Sequence, residues 1–152
     1  MALPMLHSYS RNISRDSILS GHYSNIRIHG LLGNMNPFQP WATLKDALAR
    51  TSTGSDAGNN SDTSSFMHFS ASCYYFGESL SDHLAAKSTA AGTEATPIGL
   101  IHTAWGGSTI EQWLSRDAIA TCGGAAVSPV NSEWHESRVL PYVGMSVKGF
   151  TW

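Results

Sequence analysis

The sequence predicts an α/β domain with a mostly parallel sheet, and three observations carry that expectation. The run Ile98-Gly99-Leu100-Ile101 is short and apolar, as expected of a parallel strand buried between two covered faces, which needs no alternation. A glycine pair follows, Gly106-Gly107, then Ser108-Thr109 beside Ile110-Glu111, residue types that open helices. Helical and strand-like stretches alternate along the rest of the chain, the pattern that lays helices over parallel strands.

The elements follow in order. Tyr23 to His29 has the short alternation Ile26/Ile28 and reads as a strand. Gly30 to Pro40, rich in Gly, Asn and Pro, reads as a loop ending at Trp41. Thr51 to Ser65 holds Ser, Thr, Gly, Asn and Asp with almost nothing apolar, a low-complexity surface insertion. Phe66 to Ala86 is the clearest helix. Phe69, Cys73, Phe76, Leu80 and Leu84 recur at steps of three and four and fall on one face. Ser70 or Ser72 suits its cap, and Lys87 suits its negative end. Ser88 to Thr96 reads as a linker, and Ile110 to Ala120 as a short helix stopped by Gly123-Gly124. An irregular Ser/Pro/Asn stretch leads through Val139-Leu140-Pro141-Tyr142 to Met145–Trp152, which reads as a last buried strand.

Composition bounds the function. At 152 residues the chain is one domain with room for a core. A formal charge of −2, with Lys and Arg scattered singly, leaves no electrostatic footprint for nucleic acid. No apolar run approaches the roughly 18 residues of a membrane span. Met1-Ala2-Leu3-Pro4-Met5-Leu6 lacks a basic flank and is too short for a signal peptide. Cys73 and Cys122 read as a helix thiol and a loop thiol rather than a pair. Asn12-Ile13-Ser14 and Asn59-Asn60-Ser61 match the glycosylation pattern, which arises often by chance.

The candidate chemistry centres on the strand, glycine turn and helix start. Backbone N–H groups there point at developing negative charge, and Gly106 and Gly107 let a ligand approach the backbone. Ser108 lies beside glycines, but a nucleophile elbow needs G-x-S-x-G and the second glycine is missing; a helix cap explains it as well. His102, at the end of the strand, stands where an active-site group would sit. The seven histidines show no metal spacing, neither HExxH nor C-x-x-C occurs, and no phosphate loop is present, so no metal or cofactor is implied. Trp105 and Trp113 suit stacking on a sugar face or packing in a core. The acidic residues Glu111, Asp117, Glu133 and Glu136 form no acid–base pair.

The segment Pro97 to Trp113 resembles sialate O-acetylesterases and related carbohydrate esterases of the SGNH-hydrolase superfamily, in which a strand ends in Trp-Gly-Gly-Ser/Thr followed by an apolar residue, Glu, any residue and Trp. Phe69 to Gly77 is similar to the family's preceding helix, Tyr23 to Ile28 to its early strand, and Val139 to Trp152 to a later segment. The resemblance implies a flavodoxin-like three-layer α/β/α fold, of which residues 1–152 form an incomplete domain. It implies serine-ester hydrolysis of an O-acetylated sugar, with no cofactor. The family's nucleophile lies in a Gly-Gln-Ser-Asn block, expected just before Met1, and Trp152 coincides with the start of its Trp-Tyr-Gln-Gly-Glu block. By the same resemblance the catalytic Asp and His lie further on, so no catalytic set is complete here. Gly106 and Gly107, with Gly107 favoured, match the oxyanion hole, and His102, Trp105 and Ser108 flank a substrate cleft. Glu136 departs from the family's Asn. An intact relative is expected to be secreted or lysosomal. The alternatives are a non-catalytic carbohydrate-binding relative and a hydrolase built on Ser108 with His102 or His135.

Overall fold

The computed structural model describes residues 18–30, 41–49, 66, 69–122 and 132–150. Its two compact units are residues 2–102 and residues 103–152.

The first unit holds a small open sheet. Strand β1 (Ile26–His29) lies between β2 (Ala42–Thr43) and β3 (Ile98–Ile101). β3 runs parallel to β1, with Ile26 opposite Ile98 and Ile28 opposite Leu100, whereas β2 is antiparallel. Both strands predicted around these isoleucines are present, in a mixed α/β architecture. Burial on β3 alternates, with Ile98 and Leu100 buried but Gly99 exposed. The expectation of a strand covered on both faces is therefore corrected. At Gly99 the other face meets the Trp41 ring, whose atoms lie 3.0 Å from where a Cβ would stand.

Helix α1 (Leu44–Ala49) follows β2 directly and buries Leu44, Ala47 and Leu48. Helix α2 spans Ala71–Ala91. Ser70 caps its start, the Oγ accepting from the Cys73 N–H at 3.3 Å, and Gly92 ends it in the left-handed region at φ 66°. The helix thus takes in Ser88 to Ala91, which sequence reasoning assigned to the linker, and Lys87 sits before its last turn.

The face that α2 buries is also corrected. Phe76 is 50% exposed, and the buried positions are Tyr74, Gly77, Ser81 and Ser88. Cys73, Leu80 and Leu84 pack at the margin of the core, and Phe69, fully buried, precedes the helix. Periodicity picked out large apolar residues, but the helix approaches the sheet through small ones. A Cβ on Gly77 would stand 2.5 Å from Leu100 Cδ1. Buried Ser81 keeps a partner in Asn25, whose Nδ2 also donates to the Thr96 carbonyl at 2.9 Å, tying α2 to the start of β1 and the entry to β3. Ile26, Ile28, Ile98 and Leu100 from the sheet meet Phe66, Phe69 and Tyr74 in one core.

The second unit is helical. The helix expected over Ile110 to Ala120 is two, α3 (Ile110–Trp113) and α4 (Arg116–Thr121). Leu114 is extended at ψ 151°, and Ser115 restarts the chain as a cap by accepting from the Ala118 N–H at 3.1 Å. A π-helical turn, His135–Val139, and a 3-10 turn, Leu140–Tyr142, complete the unit. The last buried strand expected from Met145 onward is not found, since Met145–Phe150 is irregular and Phe150 is 91% exposed. The second unit holds no strand among the described residues, so within that unit this segment has no ladder to join.

The described cysteines are both free: Cys73 is half-buried on α2, and Cys122 is exposed at the end of α4. No described helix is long and apolar enough to cross a membrane. The loop expected through 31–40, the insertion at 51–65, the Gly123-Gly124 stop and the Asn12 and Asn59 tripeptides lie outside the described residues.

Candidate functional site

The glycine turn belongs to the second unit. Trp105 to Ser108 reverses the chain, and Gly107 takes φ +78°, a conformation that side chains resist. A Cβ added at Gly106 or Gly107 would meet nothing within 4 Å, so both face open space. Ser108 fastens the turn. Its Oγ donates to the Trp105 carbonyl at 2.7 Å and accepts from Trp113 Nε1 at 2.8 Å.

Sequence reasoning made Ser108 the helix cap; that role falls to Thr109, in extended backbone at φ −95°, ψ 161°. Gln112 Oε1 accepts from the Thr109 N–H at 2.8 Å, one arm of a capping box. Glu111 is fully exposed, and a hydrogen bond from the Thr109 hydroxyl holds its carboxyl below the usual range. Since α3 has only four residues, a long helix dipole adds nothing here, and any anion affinity rests on the turn's own N–H groups.

Behind the turn lies an aromatic cluster. Trp105 stacks on Trp134 with ring centroids 4.8 Å apart, and Trp113 tilts against Trp134 at 6.5 Å. The Arg138 guanidinium lies 4.9 Å from the Trp105 centroid and 5.1 Å from that of Trp134, and Nη1 donates to the Thr103 carbonyl at 3.3 Å. Burial against the indoles pulls Arg138 below its ordinary pKa. Of the two uses foreseen for Trp105 and Trp113, packing accounts for these contacts. Trp134 and Arg138 were missed by sequence reasoning, although their spacing of four puts them on one helical face. Glu136 forms an exposed ion pair with Arg116 at 2.9 Å.

His102 belongs to the first unit. Its N–H donates to the His29 carbonyl at 3.0 Å, extending the β1–β3 ladder by one bond, and its ring packs edge-on against Phe69 at 5.6 Å. At 4% exposure it is part of the core wall. Thus Trp105, Gly106, Gly107 and Ser108 come together in one turn, and His102 ends the sheet unit.

Comparison with known proteins gives this α/β chain its class. Over 93% of its length it is 27% identical to the sialate O-acetylesterase of Homo sapiens and 28% identical to that of Pongo abelii. Over 38% of its length it is 41% identical to the sialate O-acetylesterase of Rattus norvegicus. The class is that of carbohydrate esterase relatives. Within it, the chain is a relative of the sialate O-acetylesterases, as the Trp-Gly-Gly block suggested. It spans about a quarter of the length of the human and orangutan proteins (26%). No family model matches the chain, and no solved structure matches it.

Proposed function

We propose that this chain carries the oxyanion side of a carbohydrate O-acetylesterase of the SGNH type, an enzyme that releases acetate from an O-acetylated sugar by way of a serine ester. In that reaction a serine attacks the ester carbonyl, a histidine takes and returns the proton, and N–H donors hold the tetrahedral oxyanion. The Gly106 and Gly107 amides are the donors this chain contributes, Gly107 before Gly106. The observation that carries the reading is the open Trp105–Ser108 turn, with Gly107 at φ +78°, inside a chain matched over 93% of its length to sialate O-acetylesterases. In the full enzyme the sheet extends to a three-layer flavodoxin-like fold, and Trp105 and Ser108 flank the cleft.

Neither a Gly-Gln-Ser-Asn nor a Tyr-Gln-Gly-Glu block occurs among the 152 residues, so the same proposal makes the chain by itself an incomplete domain with negligible esterase activity. The Ser108 hydroxyl gives its proton to the Trp105 carbonyl, which speaks against the hydrolase built on Ser108.

Two measurements test this. Purified chain should turn over p-nitrophenyl acetate no faster than an albumin control, and turnover abolished by Gly107→Asp would overturn the expectation. Coding sequence on either side should hold the two missing blocks in frame. Expressed with them and with the downstream segment that carries the catalytic Asp and His, the enzyme should lose about 10² to 10³ of its turnover on Gly107→Asp, which keeps the N–H but sets a carboxylate against the developing oxyanion. Stop codons on both sides, with binding on a glycan array, would replace the esterase reading by a carbohydrate-binding one.

A further inference from the structure

We infer that Ser108 is a positioning residue, a clasp that fixes the direction of the Gly106 and Gly107 N–H groups. The inference deepens the proposed function and rests on it for the use of the turn, but the clasp itself stands on geometry alone. A hydroxyl has one proton and two lone pairs. Here the proton is spent on the Trp105 carbonyl at 2.7 Å, and one lone pair accepts the Trp113 indole proton at 2.8 Å. One side chain thereby joins the first residue of the turn to the last, and both to the helix that follows.

The glycines need such a clasp. Glycine has more backbone freedom to lose than any other residue, and nothing lies within 4 Å of where a Cβ would stand at either position. Packing over the glycines therefore does not hold the turn. The indole end is rigid instead, because Trp113 leans on Trp134, which is 5% exposed and stacked on Trp105. Ser108, Trp113, Trp134 and Trp105 thus form a closed ring of contacts around the turn. Within it the indole N–H, the hydroxyl and the carbonyl make a hydrogen-bonded chain whose members polarise one another. Misplacement by about 1 Å is enough to cost a catalytic group 10²-fold, so a hydroxyl that touches no substrate still governs how well the turn receives an oxyanion.

The test is ¹⁵N NMR on the full chain, with methylphosphonate as a tetrahedral anion. In the native protein the Gly106 and Gly107 amides should be rigid, with order parameters near 0.85. They should shift on adding methylphosphonate, and the Trp113 indole proton should exchange slowly. Ser108→Ala should drop the two order parameters below about 0.6, speed indole exchange and weaken the anion response at least tenfold. Amides of Ile98 to Ile101 should stay unchanged, and Ser108→Thr should restore all three readouts. Trp113→Phe, which keeps the ring and removes the donor, should act in the same direction if Ser108→Ala does not fold. Native-like order and anion response in both Ser108→Ala and Trp113→Phe would overturn the inference. If the native turn ignores methylphosphonate while Ser108→Ala still loosens it, the clasp is supported and the oxyanion reading fails.

Discussion

Replacing Gly30 with alanine should be among the most damaging small changes in the sheet unit. Gly30 takes φ +82° directly after β1, and a Cβ there would stand 2.1 Å from the His102 carbonyl oxygen and 3.0 Å from its carbon. The neighbour is backbone, so no rotamer change relieves the clash. A carbon–oxygen contact settles near 3.3 Å, so the strand ends must part by roughly 1 Å. The His102 N–H···O=C His29 bond, 3.0 Å long, is then stretched or broken, at about 1 kcal/mol. Left-handed backbone costs alanine about 1 kcal/mol more. Forcing the His102 backbone away from the end of β1 adds an overpacking cost of about 1 to 3 kcal/mol. The loss is thus about 4 kcal/mol, close to a thousandfold in the folded-to-unfolded ratio, or about 8 to 16 °C in Tm for a chain of this size. Urea unfolding followed by circular dichroism measures it, with Gly92→Ala as the control. Gly92 also has positive φ, at 66°, but nothing lies within 4 Å of a Cβ there, so that variant should lose only about 1 kcal/mol. Equal losses in the two variants would refute the reasoning, because the close approach of Gly30 to His102 would then count for nothing.

Ser70→Ala removes the oxygen that caps α2 and should cost about 1 kcal/mol, with Ser70→Asp restoring most of it in the same urea titration. Trp134→Ala empties the centre of the aromatic cluster and should cost about 3 to 5 kcal/mol. Near-ultraviolet circular dichroism should collapse with it, and a native spectrum would contradict the packing described. Burial pushes the Cys73 thiol from 9.0 up to about 11, whereas Cys122 is exposed. Iodoacetamide at pH 8 should therefore modify Cys122 first, and equal rates would contradict the burial of Cys73. Because the folded-state value is the raised one, the neutral thiol's contribution to stability is complete below pH 9 and is lost as pH rises through about 11. The urea midpoint should fall over that range, and fall less in Cys73→Ala, where the phenols of buried Tyr74 and half-buried Tyr142, also raised, still contribute to the fall above pH 10.

Strand β3 and its parallel partner were legible because four apolar residues bounded by a proline and a polar exit leave few alternatives. The α2 helix was legible in existence and length, though both ends lie five residues further on than expected, and its buried face was not legible. Large residues dominate a hydrophobic pattern, yet Gly77, Ser81 and Ser88 are what let the helix come down on the sheet. That choice is invisible without the strand it meets. The second unit was least legible. A π-helical turn with Pro141 close behind it follows neither strand nor helix periodicity, so apart from their spacing of four nothing in the pattern singled out Trp134 and Arg138.

The exchange of roles between Ser108 and Thr109 shows where local reasoning stops. Both carry a hydroxyl, both sit just before a helix, and local chemistry offers each of them the cap. The decision is tertiary. Trp113 presents its indole N–H to the position before the cap, and an indole in contact with a buried ring strongly favours a partner for that proton. Ser108 supplies the oxygen, which leaves Thr109 to begin the helix and Gln112 to answer it. The block Trp-Gly-Gly-Ser-Thr-Ile-Glu-Gln-Trp is therefore a single device, in which the last tryptophan sets the role of the serine five residues earlier. A variant that moved the hydroxyl to position 109 alone would keep the cap and lose the clasp.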